Sequence, residues 1–442
     1  MTINSVSKEG ESPMESISRV SSRFTIRPLE TSEEVDIFFR LNTQTFRPDK
    51  DKEEFENTMI RRRNFIENLP SFRRDQLRGM FSGNTFLGGY MILERDLRLG
   101  SVQLKAGYIS NLVVRHNYRN MGIATTLIED AITYANSQKY TLIIGHGIPN
   151  FYHRFNCTDV LDITTHVINL EHILSQSSSL YQVRPATLND APEMLEIHDR
   201  HYNRYLGSFS RTLQDQEHQL QHWLSDFPPL LAVDSSNKPC GYLMLFKNFN
   251  IPYVAEVAAD NWHATLALLQ YHARLLSTTV KTRNELWWPL PPGSRTANIL
   301  ADHFPVKSIT YCYPNEDWMV RPIHLSQLLQ SILPLWKNRL QFYHESLPQA
   351  ITFKIDGHTV GLELNSPDIR LSEYSQTDDN LVSLSLEVFT RLLFGYRTIE
   401  WAVDQADQYI PEALRPLLDR LFPAGQAWIN ETDSGLDHVQ ER

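Results

Sequence analysis

The sequence predicts a mixed α/β (α+β) protein of more than one domain, and three observations carry that expectation. Residues Gly107 to Ala135, GYISNLVVRHNYRNMGIATTLIEDAITYA, read as a strand, a glycine-bearing turn and a helix in succession. Elements found from Thr25 recur from Gln182. Further on, Ala350 to Leu364 alternates apolar and polar residues on both sides of an Asp-Gly pair, which is a hairpin signal. At 442 residues the chain is also too long for one ordinary core, since single cores stop growing near about 250–300 residues.

Composition narrows the class. Apolar residues make up 41% and charged residues 21% of the chain, as in ordinary globular proteins, and no apolar run approaches the about 18 residues of a membrane span. Residues 1–22 lack the apolar core of a secretory signal and carry acidic residues, so a disordered leader is expected. The three cysteines, Cys157, Cys240 and Cys312, are too few and too scattered for a disulfide framework or a zinc site, so no metal is expected and a reducing cytoplasm is the natural setting. A formal net charge of −10 argues against nucleic acid as a partner, because duplex affinity comes largely from basic residues neutralising phosphates. The basic cluster Arg61-Arg62-Arg63, with Arg73 and Arg74, is interleaved with Glu53, Glu54, Glu56 and Glu67 and reads as a solvated helix face.

In chain order, Phe24 to Pro28 alternates like a strand, and Thr31-Ser32-Glu33-Glu34 looks like an N-cap with an acidic first turn. A helix runs from there to just before Pro48, a second spans Lys52 to Asn68, and Thr85 to Arg95 and Gln103 to Arg115 are strands expected to be antiparallel neighbours. Ile109, Leu112, Val113 and Val114 are the apolar strand run before the turn Arg119-Asn120-Met121-Gly122-Ile123-Ala124, after which Ile123, Leu127, Ile128, Ala131 and Ile132 recur at helical spacing. Glycine lets backbone approach a ligand closely, and the first N–H groups of a helix have no internal partner. That combination is a phosphate cradle. A short strand, Thr141 to Ile144, comes next, then a loop from Gly145 to Asn150.

The R-x-x-G-x-A turn, the Val113-Val114-Arg115 before it and the helix behind it resemble motif A of the GNAT N-acetyltransferases. The resemblance implies a turn that holds the pyrophosphate of acetyl-CoA, with Arg119, Met121, Gly122, Ile123 and Ala124 in the cradle. It also implies that Leu112, Val113 and Val114 run beside the pantetheine arm, with a strand N–H near Leu112 or Val113 as carbonyl polariser. Phe151-Tyr152-His153-Arg154-Phe155 resembles the F-Y-x-R-F-G-F run of many such enzymes, although Asn156-Cys157 replaces the usual Gly-aromatic pair. By that resemblance Tyr152 is the acid that protonates departing coenzyme A. A phenol of ordinary pKa near ~10 holds a proton to give at neutral pH.

From residue 181 the chain begins again. Gln182-Val183-Arg184-Pro185 repeats Thr25-Ile26-Arg27-Pro28, Asn189-Asp190-Ala191 opens a helix, and Gly241-Tyr242-Leu243-Met244-Leu245 repeats Gly89-Tyr90-Met91-Ile92-Leu93. Such repetition implies a duplicated domain. From Tyr108 to Ala124 is 16 positions, but from the matching Tyr253 to Ala264 it is 11, so the second turn is five residues shorter; it has no glycine and carries Asp260. This copy is not expected to bind coenzyme A. Leu286-Trp287-Trp288-Pro289 and Pro291-Pro292-Gly293 read as an extended connection inside it, and Met319 to Ile323 leads into a helix from His324.

In the third region the Ala350–Leu364 hairpin is followed by a helix from Ser385 to Phe394 that ends at Gly395, a pattern that resembles a sterol-carrier-like domain. The three regions in this order resemble the Eis (enhanced intracellular survival) type of acetyltransferase. The expected domains are therefore a leader at 1–22, a catalytic GNAT domain at 23–180, a degenerate GNAT-like domain at 181–322, a sterol-carrier-like domain at 323–430 and a polar tail at 431–442. The implied reaction is acetyl transfer from acetyl-CoA to a primary amine of an aminoglycoside, polyamine or lysine, without nucleic acid or membrane, by a homo-oligomer that in relatives is a hexamer.

The general base stays open at this point. In Eis-type relatives the terminal carboxylate takes part, but here Leu421-Phe422-Pro423 and Trp428 are followed by a polar stretch to Arg442 without the expected terminal aromatic. His146, His153 and water are the other candidates. Two rival readings are a non-catalytic acetyl-CoA sensor and a lipid carrier in which Leu392-Leu393-Phe394 and Leu417, Leu418 and Leu421 line a cavity, against the alternative that these pack a core.

Overall fold

The structure, a computed structural model, describes residues 24–48, 51–225, 227–248, 251–280, 282–341, 343, 347–365, 368–372, 380–425, 427–430 and 432. The leader expected at 1–22 and the chain end at Arg442 lie outside the described residues. Two compact units divide the chain: one takes the residues to Glu67, Ser71–Leu93 and Ile109–Tyr134, the other Asn68–Pro70, Glu94–Tyr108 and everything from Ala135.

The first unit begins with β1 (Thr25–Pro28), α1 (Ser32–Phe46) and α2 (Lys52–Glu67). It continues through β2 (Leu77–Ser82), the early part of β3 (Thr85–Leu99), the late part of β4 (Val102–Val114) and most of α3 (Ile123–Ser137). Strands run in the order β1-β2-β3-β4, with β1 antiparallel to β2 and β2 antiparallel to β3. Thr31 closes a capping box with Glu34, so two of the helix's unpaired N–H groups are satisfied. Arg27 adds a 2.6 Å ion pair to the Glu34 carboxylate and, with that hydrogen bond, holds its carboxyl down to about 2. Val35, Phe38 and Phe39 of α1 and Met59, Phe65 and Ile66 of α2 are the buried apolar faces. α3 is fixed by charge as well as packing: Arg78 and the Tyr90 hydroxyl both donate to Asp130, each at 2.6 Å.

The basic cluster divides. Arg63 pairs with Glu67 and Asp36, and Arg74 with Glu67, as a solvated face does. Arg62 departs from that expectation: it is 2% exposed and donates to Asn111 Oδ1 at 3.2 Å. Its long side chain lies under the helix, where a hydrogen bond offsets part of the desolvation.

The second unit opens with β5 (Leu142–Gly145), β6 (Thr158–Asp159), β7 (Ile163–Asn169) and the short α4 (Leu170–Leu174). Next come β8 (Gln182–Pro185), α5 (Ala191–Tyr202), α6 (Leu213–Leu224), β9 (Leu230–Val233), β10 (Pro239–Asn248) and β11 (Ile251–Ala259). After these stand α7 (Trp262–Thr279), β12 (Glu285–Pro289), α8 (Arg295–His303), β13 (Lys307–Tyr311) and β14 (Met319–Pro322). The order β8-β9-β10-β11 is antiparallel throughout and reproduces the order β1-β2-β3-β4. The tryptophan-proline stretch expected to be an extended connection is β12, a strand of a sheet ordered β12-β7-β13.

Two strands trade places along the sequence. β7, which precedes residue 180, lies between β12 and β13 and is antiparallel to both. β14, which comes after residue 312, lies between β5 and β6 and is antiparallel to both. Within the second unit, β7 thus pairs with two strands that come after residue 284, and β14 with two strands that come before residue 160.

The third region supplies α9 (Leu325–Leu340), β15 (Ala350–Ile355), β16 (His358–Asn365), β17 (Asp368–Ser372), β18 (Leu381–Leu384), α10 (Leu386–Leu393), α11 (Ile399–Val403) and α12 (Arg415–Leu421). The sheet order is β17-β16-β15-β18, with the expected hairpin at Asp356-Gly357. Leu392, Leu393, Phe394, Leu417, Leu418 and Leu421 join one buried cluster with Trp336, Phe353 and Phe422, whose rings meet at 5.6 to 6.3 Å. Among the described residues, no helix is long and apolar enough to cross a membrane.

Candidate functional site

One candidate region is built by β4 and α3. The ladder between β4 and β5 runs parallel from Ala106↔Leu142 to Tyr108↔Ile144. Three residues on, Asn111 takes a left-handed φ of +56° inside the strand while its side chain is buried. Left-handed backbone in a strand marks a bulge and re-aims the residues beyond it. The Arg62 guanidinium holds that bulge through the Asn111 side-chain carbonyl oxygen. Neither residue was expected at the site; an asparagine in the middle of an apolar strand is the one signal that pointed there.

Leu112 and Val113 are both buried. Beyond them the Arg119 Nε donates to the Val114 carbonyl at 3.3 Å, and Met121 is 57% exposed. Asn120 and Gly122 both adopt left-handed backbone, at +62° and +79°. A Cβ added at Gly122 would meet no atom within 4 Å, so the position faces open space and its φ is what demands glycine. α3 starts at Ile123, and the Gly122 carbonyl already accepts from Thr126 N at 3.1 Å. Among the described residues, nothing accepts from the N–H groups of Ile123 or Ala124. Open N–H groups at a helix start, next to an unobstructed left-handed turn, fit a pyrophosphate.

A second candidate region lies on the segment after β5. Tyr152 to Phe155 form one 3-10 turn, with Asn150 (φ +53°) before it and Asn156 (φ +57°) after it. The Tyr152 ring lies against Gly145, where an added Cβ would come within 2.9 Å of the ring. Glycine at the end of β5 is therefore what admits the ring. Tyr152 is 2% exposed, and its hydroxyl has no hydrogen-bond partner among the described residues. Burial, helped by the nearby Cys157, pushes its pKa above the ordinary phenol value, and burial pushes the Cys157 thiol up to about 12. Both groups keep their protons at neutral pH.

The two histidines flanking Tyr152 have different surroundings. His153 is exposed. His146 accepts or donates at 2.6 Å with the Tyr108 hydroxyl, and its ring lies 4.3 Å from that of Trp318.

The second half carries different chemistry at the matching turn. Asp260 is bonded by Arg200 at 2.8 Å and by His201 at 3.2 Å, and Asn261 caps α7 through Ala264 N. Burial works to raise the Asp260 pKa, but His201 and Arg200 outweigh it and hold the carboxyl at about 2. The start of α7 is thus capped by Asn261, and the Asp260 carboxylate just before it is taken up by Arg200 and His201.

Comparisons agree with this architecture. Residues 25–159 match the family described as Acetyltransferase (GNAT) domain. No curated protein matches the chain. Among solved structures, a GCN5-related N-acetyltransferase from Anabaena variabilis superposes with a TM-score of 0.69 at 12% identity, over 92% of this chain and 99% of that one. A protein of Enterococcus faecalis described as a probable N-acyltransferase gives 0.70 at 13% identity, over the same shares of 92% and 99%. Eis1 from Mycobacterium abscessus gives 0.60 at 12% identity, again over 92% and 99%. The chain has the GNAT fold with its mixed sheets.

Proposed function

We propose that this chain is an N-acetyltransferase that moves the acetyl group of acetyl-CoA to a primary amine. The observation that carries the reading is the start of α3, where Gly122 is left-handed and unobstructed and the N–H groups of Ile123 and Ala124 have no partner among the described residues. Bound there, acetyl-CoA supplies an acetyl thioester. Gly122, Ile123 and Ala124 hold its phosphates through backbone N–H groups, with Arg119 and Met121 in the same loop, and the Leu112–Val114 backbone orients the arm. A strand N–H near Leu112 or Val113 polarises the carbonyl. The neutral amine attacks the carbonyl carbon, the C–S bond breaks, Tyr152 Oη protonates the departing thiolate, and the proton that the nitrogen loses returns through water to the phenolate.

Two features support Tyr152 as that acid. Its hydroxyl makes no hydrogen bond with the described residues, and burial keeps it a phenol at neutral pH. The matched turn of the second half, where Asp260 is bonded by Arg200 and His201, supports the reading of one cofactor site per chain and of a second, degenerate GNAT-like domain. In the third region the leucines that could have lined a cavity pack with Trp336 and Phe422, which favours a structural part over lipid carriage for that sterol-carrier-like domain. Homo-oligomerisation is part of the proposal by resemblance.

The direct experiment measures acetyl-CoA binding by calorimetry, then coenzyme A release against a panel of aminoglycosides, polyamines and lysine peptides. Binding without release from any amine would favour a sensor. Absence of binding would sink both readings.

A further inference from the structure

The strand exchange brings residues from the second half onto both flanks of the Tyr152 turn. Before the turn, Gly147 N donates to the Glu316 carbonyl at 2.8 Å and Asn150 N to the Asn315 carbonyl at 2.9 Å. At its last residue Arg321 Nη1 donates to the Phe155 carbonyl at 2.9 Å, and beyond it Asn315 N donates to Asp159 Oδ2 at 3.2 Å and Val160 N to the Trp318 carbonyl at 3.2 Å. β14 completes the clamp by pairing Met319 with both Gly145 and Asp159. Trp318 meanwhile packs on His146 and lies 5.6 Å from Tyr108.

Asn315 is the pivot of this arrangement. It takes a left-handed φ of +61°, a conformation that asparagine tolerates and β-branched residues do not. The turn it forms aims two consecutive carbonyls, those of Asn315 and Glu316, at the two amides ahead of Tyr152. A short 3-10 turn bounded by two left-handed asparagines has little regular structure of its own to hold it, so its placement depends on these outside contacts.

We propose that residues 313–322 are a positioning element for Tyr152, with Asn315 and Arg321 as positioning residues, so that the second half takes part in catalysis by holding the first half's acid. This rests on the acyl-transfer reading above. It also gives a physical reason for a cradle-less copy to be kept. Without β14, β5 and β6 have no common neighbour, and the segment carrying Tyr152 loses hydrogen bonds on both sides. A misplacement of about 1 Å at a reacting group can cost roughly 100-fold in rate.

The test compares Asn315→Val, Asn315→Gly and Arg321→Met in the full chain. Readouts are kcat, KM for acetyl-CoA, and amide hydrogen exchange over residues 146–157. Asn315→Val is expected to lower kcat roughly 10- to 100-fold with KM for acetyl-CoA unchanged, and to speed exchange at Gly147 and Asn150. Asn315→Gly, which accepts the same backbone, should restore most of both. Faster exchange with wild-type kcat would overturn the proposal, and so would unchanged exchange in Asn315→Val. If that variant does not fold, Arg321→Met decides: a lower kcat at constant KM supports the proposal, and an unchanged kcat overturns it. A wild-type chain that releases no coenzyme A with any amine overturns the acyl-transfer reading itself and the catalytic part of this one, while exchange in the variants still decides whether Asn315 holds the turn.

Discussion

Arg211 grips the carboxylate of Glu256 through two hydrogen bonds, Nη1 to Oε1 at 3.0 Å and Nη2 to Oε2 at 2.5 Å, and the Glu256 side chain has no exposure to solvent. Glu256 stands three residues past Tyr253, as Asn111 stands three past the matching Tyr108. Where the first half has a neutral amide held by an arginine, the second has a buried ion pair, further bonded by the Tyr242 hydroxyl and by Thr432 near the chain end. Removing one partner leaves an uncompensated buried charge, so Arg211→Met is expected to cost about 3–5 kcal/mol of stability. The double variant Arg211→Met, Glu256→Leu should recover most of it, and urea unfolding midpoints measure both.

The same carboxylate sets an acid limit. Burial works to raise the Glu256 pKa, but the charges of Arg211 and His198 and its hydrogen bonds outweigh this and bring it to about 2. The folded value lies below the unfolded one of about 4.3. Its contribution is therefore present above about 4.3 and is lost as pH falls through about 2. Thr432→Val removes a hydroxyl that bonds both Glu256 and Arg211 and is expected to cost about 1–3 kcal/mol. A variant as stable as wild type would show that the Thr432 hydroxyl does not stabilise the Arg211–Glu256 pair.

His272 predicts a second pH dependence in a higher window. Its Nδ1 accepts from the Trp288 indole at 3.1 Å, which leaves Nε2 to donate to the Pro252 carbonyl at 3.0 Å. Burial lowers its pKa to about 4. Above about 6.5 the ring is neutral in both states; between about 6.5 and about 4 only the unfolded chain gains the proton. Stability should fall as pH drops through that window, by up to about 3 kcal/mol, and the burial-lowered His166 acts in the same direction. Unfolding free energies at pH 7 and pH 4.5 give the slope, which His272→Phe should reduce.

Local patterns made much of this readable from sequence. Thr31 with Glu34 and Ser385 before α10 are caps whose residue types announce them, and Asp356-Gly357 falls between alternating runs. The turn at Gly122 was legible for the same reason. What escaped was whatever depends on distant segments. β2, LRGMFS, lacks clean alternation because both faces are largely buried. The exchange of β7 and β14 cannot be read from order along the chain, since consecutive elements normally pair with near neighbours. Arg62 resembled its charged neighbours in sequence, and only its place under the Asn111 bulge distinguishes it.

Gly122 offers the sharpest test of the cradle. A Cβ there would meet no neighbouring atom within 4 Å, so loss in Gly122→Ala comes from the backbone angle of +79°, and Gly122→Val adds bulk that obstructs a ligand. Left-handed backbone costs an ordinary residue about 1–2 kcal/mol, which corresponds to roughly tenfold weaker acetyl-CoA binding if the turn must keep its shape to bind. Calorimetry on Gly122→Val, alongside its melting temperature, separates the two effects. Wild-type affinity in a folded Gly122→Val chain would sink the cradle.

Tyr152→Phe isolates the proton from the ring. The ring fills the space left by Gly145, and phenylalanine keeps that packing. Since the hydroxyl makes no hydrogen bond with the described residues, its loss removes no contact of the resting protein and stability should stay within about 0.5 kcal/mol. If Tyr152 Oη delivers the proton, kcat should fall by about 100- to 10,000-fold while acetyl-CoA affinity is kept. The raised pKa sharpens the pH test: ionisation of the phenol lies above the ordinary range, so the wild-type rate should show no loss from Tyr152 deprotonation up to about pH 9. A variant with wild-type kcat would move the acid elsewhere, and a variant that also loses acetyl-CoA binding would make Tyr152 part of the cofactor's seat.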